Sequence, residues 1–101
     1  MKKLSYAARR IDDNQGIIVE ALRRAGATVI LLHAVGKGVP DLLVGYHGVT
    51  ALVEVKNPVL KGKLNTLQLA WCAEWRGSLV HVVHTPDEAV AVLELIRQHL
   101  Q

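Results

Sequence analysis

A single cysteine, Cys72, stands in a chain of 101 residues, so no internal disulfide can form. That suits a reducing compartment, or a protein indifferent to redox. No apolar run approaches the roughly 20 residues that a membrane span needs. The opening stretch "MKKLSYAARR" is basic but lacks the apolar segment of a secretory signal, and a cytoplasmic protein is expected. Internal repeats and low-complexity segments are missing as well. The five histidines form no metal-ligand spacing. His81 and His84, three apart on a predicted strand, face opposite sides. The excess of positive charge is only +3, which permits nucleic-acid binding without establishing it.

What is present is a sequence that is 50% hydrophobic, enough for one compact core. The reading is a basic N-terminal extension over 1–11 and a single domain over 12–101. "DDNQGIIVEALRRAGA" predicts a helix. Asp12 or Asp13 is its cap, Ile17, Ile18, Ala21, Leu22 and Ala25 its apolar face, and Gly26 its stop. "ATVILLH" is aliphatic without alternation and predicts a buried strand, and "AVGKGVP" a loop. "DLLVGY" and "VTALVEVK" predict two strands joined at His47-Gly48, with "NPVLKGK" a loop after them. From Asn65 to Arg76 the pattern is helical, with Leu64, Leu67, Trp71 and Trp75 at spacings of three and four and Gly77 as the close. "SLVHVVH" predicts a further strand. Thr85-Pro86-Asp87-Glu88 is a strong helix start, and Ala89, Val92, Leu93 and Ile96 form the buried face that follows. The order α-β-β-β-α-β-α indicates an α/β fold, a small mixed sheet with helices on both faces.

The stretch "GVPDLLVGYHGVTALVEVK" places Asp41, Glu54 and Lys56 in otherwise apolar strands, where charge is costly unless something offsets it. If His47-Gly48 is a two-residue hairpin loop, Tyr46 faces Val49, and counting back brings Asp41 opposite Glu54. Facing side chains in an antiparallel pair have Cβ atoms roughly 4.5–5.5 Å apart. Two carboxylates that close repel, and a divalent cation between them removes the repulsion. Lys56, two residues beyond Glu54, points to the same face. Hard cations such as Mg²⁺ favour oxygen sites of this kind. The other reading keeps Lys56 in a salt bridge with one acid at a sheet edge, and Asp41 in a turn after Pro40. A slip of one residue in the turn would take the patch apart.

Pro40-Asp41 followed by Glu54-Val55-Lys56 resembles the PD-(D/E)XK nuclease signature. "GKGVPDLLVG", then "LVEVK", then L-x-x-x-Q in "LNTLQLAW", then "WRG" before a strand, are together similar to the VRR-NUC (virus-type replication-repair nuclease) family. The likeness is greatest to its small stand-alone members, many of them from phages, and runs from Asp12 to the last helix. It implies a restriction-endonuclease-like core, a phage or prokaryotic host cell, and Mg²⁺- or Mn²⁺-dependent hydrolysis of DNA phosphodiesters. By that resemblance Asp41 and Glu54 hold the metal with the backbone carbonyl of Val55, and Lys56 sits near the attacking water and the scissile phosphate. Gln68 matches the family's downstream glutamine, and Asp12, with Asn14, matches an Asp-x-Asn pattern that would give a further metal contact.

Gln68 has a second reading as the N3 partner of Asn65 in a capping box, and the two roles are compatible. Lys37, Lys61 and Lys63 are either plain loop charges or, in a nuclease, contacts to DNA backbone, the latter reading being favoured. Trp71 and Trp75 could stack on bases, but their helical spacing favours core or dimer contact. Cys72 reads as a small core residue. The expected activity is an endonuclease selective for branched or junction DNA, since so small a domain has little surface for sequence readout. A C2 homodimer, as in the Holliday junction resolvases that the stand-alone members resemble, would cut two strands. No small-molecule cofactor is expected. The alternative is a non-catalytic DNA-binding or assembly module that retains the fold.

Overall fold

The computed structural model describes residues 14–58 and 63–99. In chain order these form α1 (Gln15–Arg24), β1 (Thr28–Leu31), β2 (Leu42–Tyr46), β3 (Val49–Val55), α2 (Thr66–Glu74), β4 (Val80–Val83) and α3 (Pro86–His99). The strands make one sheet in the order β1-β2-β3-β4. The first three are antiparallel, and β4 joins β3 in parallel after the α2 crossover. The mixed α/β class and the element order agree with the sequence reading. Asp12, Asp13 and Lys61 lie outside the described residues. No helix among the described residues is long and apolar enough to cross a membrane.

The core is aliphatic, with Tyr46 packed against its edge. Ile18, Val19 and Leu22 of α1 and Ala89, Val92, Leu93 and Ile96 of α3 pack on Val44, Ala51, Val53, Val55 and Val83 of the sheet. These strand positions alternate along β3, so one sheet face is covered by α1 and α3. The opposite face carries Leu52 and Glu54, and α2 meets it there.

The helix ends follow local chemistry. Thr85 caps α3 by accepting from the Glu88 N–H at 3.1 Å. The Glu88 carboxylate takes the His84 N–H at 2.7 Å and lies 3.0 Å from Nδ1 of the same ring, which holds Glu88 below the usual carboxylate range. At the C-terminus of α1, Gly26 N–H donates to Arg23 O and Ala27 N–H to Leu22 O, both at 3.0 Å, a Schellman closure.

Three expectations change. The first strand is an edge strand with Val29 alone buried, and Ile30 and Leu31 are exposed. An unalternating apolar run reads as buried, but among the described residues β1 has a strand neighbour on one side only. Asn14 holds the N-cap position of α1 without a side-chain cap bond, the expected caps Asp12 and Asp13 lie outside the described residues, and Ile17, expected on the apolar face, is exposed. The helix α2 stops at Trp75, whose ψ of 128° is extended, before Gly77 is reached. It has no buried residue, and Leu67 and Leu69 are exposed.

Candidate active site

The hairpin register sets the site. His47 and Gly48 both take positive φ, 50° and 78°, as a two-residue type I′ turn requires. Tyr46 pairs with Val49 and each earlier rung follows, ending at Leu42 with Val53. Asp41 lies one residue beyond that last rung, and its charge acts on Glu54. There the Asp41 carboxylate accepts from the Val55 N–H at 2.9 Å, which ties it to the main chain beside Glu54.

Glu54 is 2% exposed on the sheet face away from the aliphatic core. Two donors converge on one of its oxygens, Oε2. The Lys56 Nζ lies 3.4 Å away and the Gln68 Nε2 2.5 Å away. Burial first, then the charge of Asp41, push the Glu54 carboxyl up from 4.5 to about 7, against the opposing pull of Lys56. Among the described residues the patch brings two carboxyls, Asp41 and Glu54, together with the Lys56 ammonium.

Gln68 completes the expected capping box and also reaches Glu54. Its main-chain N–H donates to Asn65 Oδ1 and its Oε1 accepts from the Asn65 N–H, each at 2.9 Å, which completes a capping box. The amide nitrogen left over by that box reaches Glu54. The start of α2 and the acid are thus held by one side chain.

Among the described residues no group of three His, Cys, Asp or Glu side chains gathers. Asp41 and Glu54 are, among the described residues, the carboxylate donors of the patch. Two carboxylates with main-chain, water and substrate oxygens completing the set match the habit of Mg²⁺, which keeps several waters and rarely takes an all-protein cage. The residues fit a hard divalent cation and do not fit a softer metal that prefers imidazole or thiolate. Cys72 is partly exposed rather than core.

Lys37 is exposed in the loop before Pro40, and Lys63 is exposed before α2. Trp71 and Trp75 do not form a free stacking platform. Their rings stack on each other at 4.8 Å and 18°, and Trp75 Nε1 donates to Ser78 O at 2.9 Å. Gly77 lies so near that an added Cβ would come within 2.6 Å of the Trp75 indole. His81 is partly buried, which lowers its basicity, and it lies on the core side.

Sequence reasoning saw Asn14 and Gly38 as parts of motifs and missed what each contacts. Asn14 sits where a helix cap belongs, yet its side chain makes no cap bond. Its Nδ2 donates to Lys56 O at 3.1 Å and to His84 O at 2.6 Å, joining the ends of β3 and β4. Gly38 packs against the first turn of α2. The signal for it was the pair of glycines flanking Lys37, read only as loop composition. No protein-family model matches the chain, and neither a curated protein nor a solved structure does.

Proposed function

We propose that the chain is a divalent-cation-dependent DNA endonuclease with a restriction-endonuclease-like core of the VRR-NUC type. The observation that carries this reading is Glu54, a nearly fully buried carboxyl beside a second carboxyl, with a raised pKa and donors from Lys56 and Gln68. A salt bridge kept for stability has no need of the second acid. Perturbed acids gathered in one patch are a recurrent mark of function.

Asp41, Glu54 and the Val55 main-chain carbonyl would hold Mg²⁺ or Mn²⁺, with Asp12 as a further contact. A cation bound there supplies Lewis-acid chemistry to a phosphodiester and offsets the charge on its oxygens. The Lys56 ammonium places positive charge where negative charge builds up on the scissile phosphate, or orients the attacking water. Gln68 holds the Glu54 carboxylate in one orientation. Lys37, Lys61 and Lys63 would neutralise flanking phosphates.

A domain of this size offers little surface for reading bases, so branched or junction DNA, recognised by shape, is the favoured substrate class. A C2 homodimer would supply one site per strand. Exposed Leu67, Leu69, Trp75 and Leu79 give apolar surface for such an association, and the same surface is what a non-catalytic assembly module would use.

The test incubates the protein with a four-way junction, a flap and a plain duplex in Mg²⁺, in Mn²⁺ and in chelator. The expected outcome is metal-dependent cleavage, strongest on the junction, lost in Asp41→Asn and Lys56→Ala. Equal cleavage by wild type and Asp41→Asn would remove the catalytic assignment. A monomeric mass in solution together with full two-strand cleavage would remove the dimer.

A further inference from the structure

We propose that Gly38 is a positioning residue of this site: the turn Gly36–Val39 seats on the Leu67–Gln68 peptide and thereby fixes how Gln68 meets Glu54. The inference rests on the proposed nuclease reading for its catalytic consequence, but its structural part stands apart from it.

The turn is closed by Val39 N–H donating to Gly36 O at 3.1 Å. Its central residues, Lys37 and Gly38, have φ of 58° and 85°, again the pattern of a type I′ turn. Lysine is a poor occupant of the left-handed region, where glycine, asparagine and aspartate are preferred. A residue held there persists when its surroundings over-determine it. The surroundings here are the first turn of α2. A Cβ added to Gly38 would lie 2.7 Å from the Leu67 carbonyl carbon and 3.1 Å from the Gln68 nitrogen, both main-chain atoms that cannot swing aside.

Gly36 provides the contrast. Its φ is equally left-handed, at 72°, and nothing lies within 4 Å of an added Cβ. The two glycines of this turn, both at positive φ, thus differ in their contact with α2. The neighbouring chain carries the effect further. Three residues after Gly38 comes Asp41, whose carboxylate is bonded to Val55. One short strap thus touches α2 at Gln68 and β3 at Val55, on either side of Glu54. A side chain at position 38 would lift the strap, the α2 turn, or both, and Gln68 would lose its reach to Oε2.

The experiment compares Gly36→Ala, Gly38→Ala, Gln68→Ala and the Gly38→Ala/Gln68→Ala double variant. Fold is checked by far-UV circular dichroism, and metal-dependent cleavage of a four-way junction is measured alongside the side-chain amide resonances of Gln68. Gly36→Ala should cleave within about 2-fold of wild type with the Gln68 amide unmoved. Gly38→Ala should lose about 10- to 100-fold, the usual range for a lost supporting contact. Its Gln68 amide should shift, and the double variant should be no worse than Gln68→Ala alone. Multiplying losses in the double variant, or an unmoved Gln68 amide in Gly38→Ala, would overturn the proposal.

Two readouts do not need Gly38→Ala to fold. In wild type, a nuclear Overhauser effect should connect the Gly38 α-protons to the Gln68 main-chain N–H. In Gln68→Ala, the amide resonances of residues 36–39 should shift. Absence of either overturns the contact. A wild type that cleaves nothing while both resonance results hold would refute the nuclease reading and leave the positioning of Gln68 intact.

Discussion

Replacing Glu54 by glutamine should stabilise the metal-free protein at alkaline pH while ending its activity. The carboxyl is 2% exposed and feels the charge of Asp41, and its pKa stands at about 7 against 4.5 for an ordinary glutamate. A group whose folded pKa is raised holds its proton in the folded state while the unfolded chain has released it. Between pH 4.5 and about 7 the folded state therefore binds more protons, and stability falls as pH rises through that window. At about 1.4 kcal/mol per pH unit, the whole interval amounts to about 3 kcal/mol.

Glutamine keeps the volume and removes the charge, and its amide oxygen can still accept from Gln68 and Lys56. Lys56, with its side chain 14% exposed, loses an ionic partner and offsets part of the gain. A net gain of about 1–2 kcal/mol remains, or about 4–16 °C in melting temperature for a domain of this size. Thermal unfolding in chelator at pH 8 and at pH 4.5, followed by circular dichroism, measures it. The gain should be present at pH 8 and close to zero at pH 4.5. A variant no more stable than wild type at pH 8, or a difference that persists unchanged at pH 4.5, would refute the reasoning. Added Mg²⁺ should raise the melting temperature of wild type by mass action and leave Glu54→Gln unmoved.

Asp41→Asn should keep the Val55 N–H bond through its amide oxygen, fold normally, and lose about 10²–10³-fold in cleavage rate, read from single-turnover kinetics on a junction. Asn14→Ala should cost about 1–3 kcal/mol in urea unfolding, because Lys56 O and His84 O both lose their donor in a half-buried place. Gly48→Ala meets no atoms within 4 Å, so its cost is the left-handed backbone alone, about 1 kcal/mol by the same measurement. A loss several times larger at that position would show that the turn makes contacts not seen here.

How much of this was legible in the sequence depends on the distance over which each feature is decided. The β2–β3 hairpin was legible in full. His47-Gly48 encodes a two-residue turn, and the period of two then carries the register rung by rung to Leu42 and Val53, one step short of Asp41 and Glu54. The start of α3 was legible for the same local reason, since Thr85 and Glu88 lie within one turn. Gln68 was readable as a cap, and its reach to Glu54 followed once α2 was known to begin beside the sheet.

Features settled by tertiary neighbours were not legible. "ATVILLH" looks buried because it is mostly aliphatic, yet burial depends on what lies beside β1, and among the described residues β2 is its one strand neighbour. The leucines and tryptophans of α2 have core spacing without a core, which leaves Leu67 62% exposed. Asn14 has the identity and position of a cap, and only the meeting of α1 with the ends of β3 and β4 turns its side chain elsewhere. Gly38 differs from Gly36 in one contact with a helix some 30 residues away, and no local pattern distinguishes them.

Cleavage of a four-way junction by wild type, Asp41→Asn and Lys56→Ala, in Mg²⁺, in Mn²⁺ and in chelator, bears most directly on the claim that Asp41, Glu54 and Lys56 form a metal-dependent nuclease site. Wild type should cut in metal and stop in chelator, and both variants should be folded and inactive. No cutting by wild type in either metal, or cutting by Asp41→Asn at the wild-type rate, would contradict it.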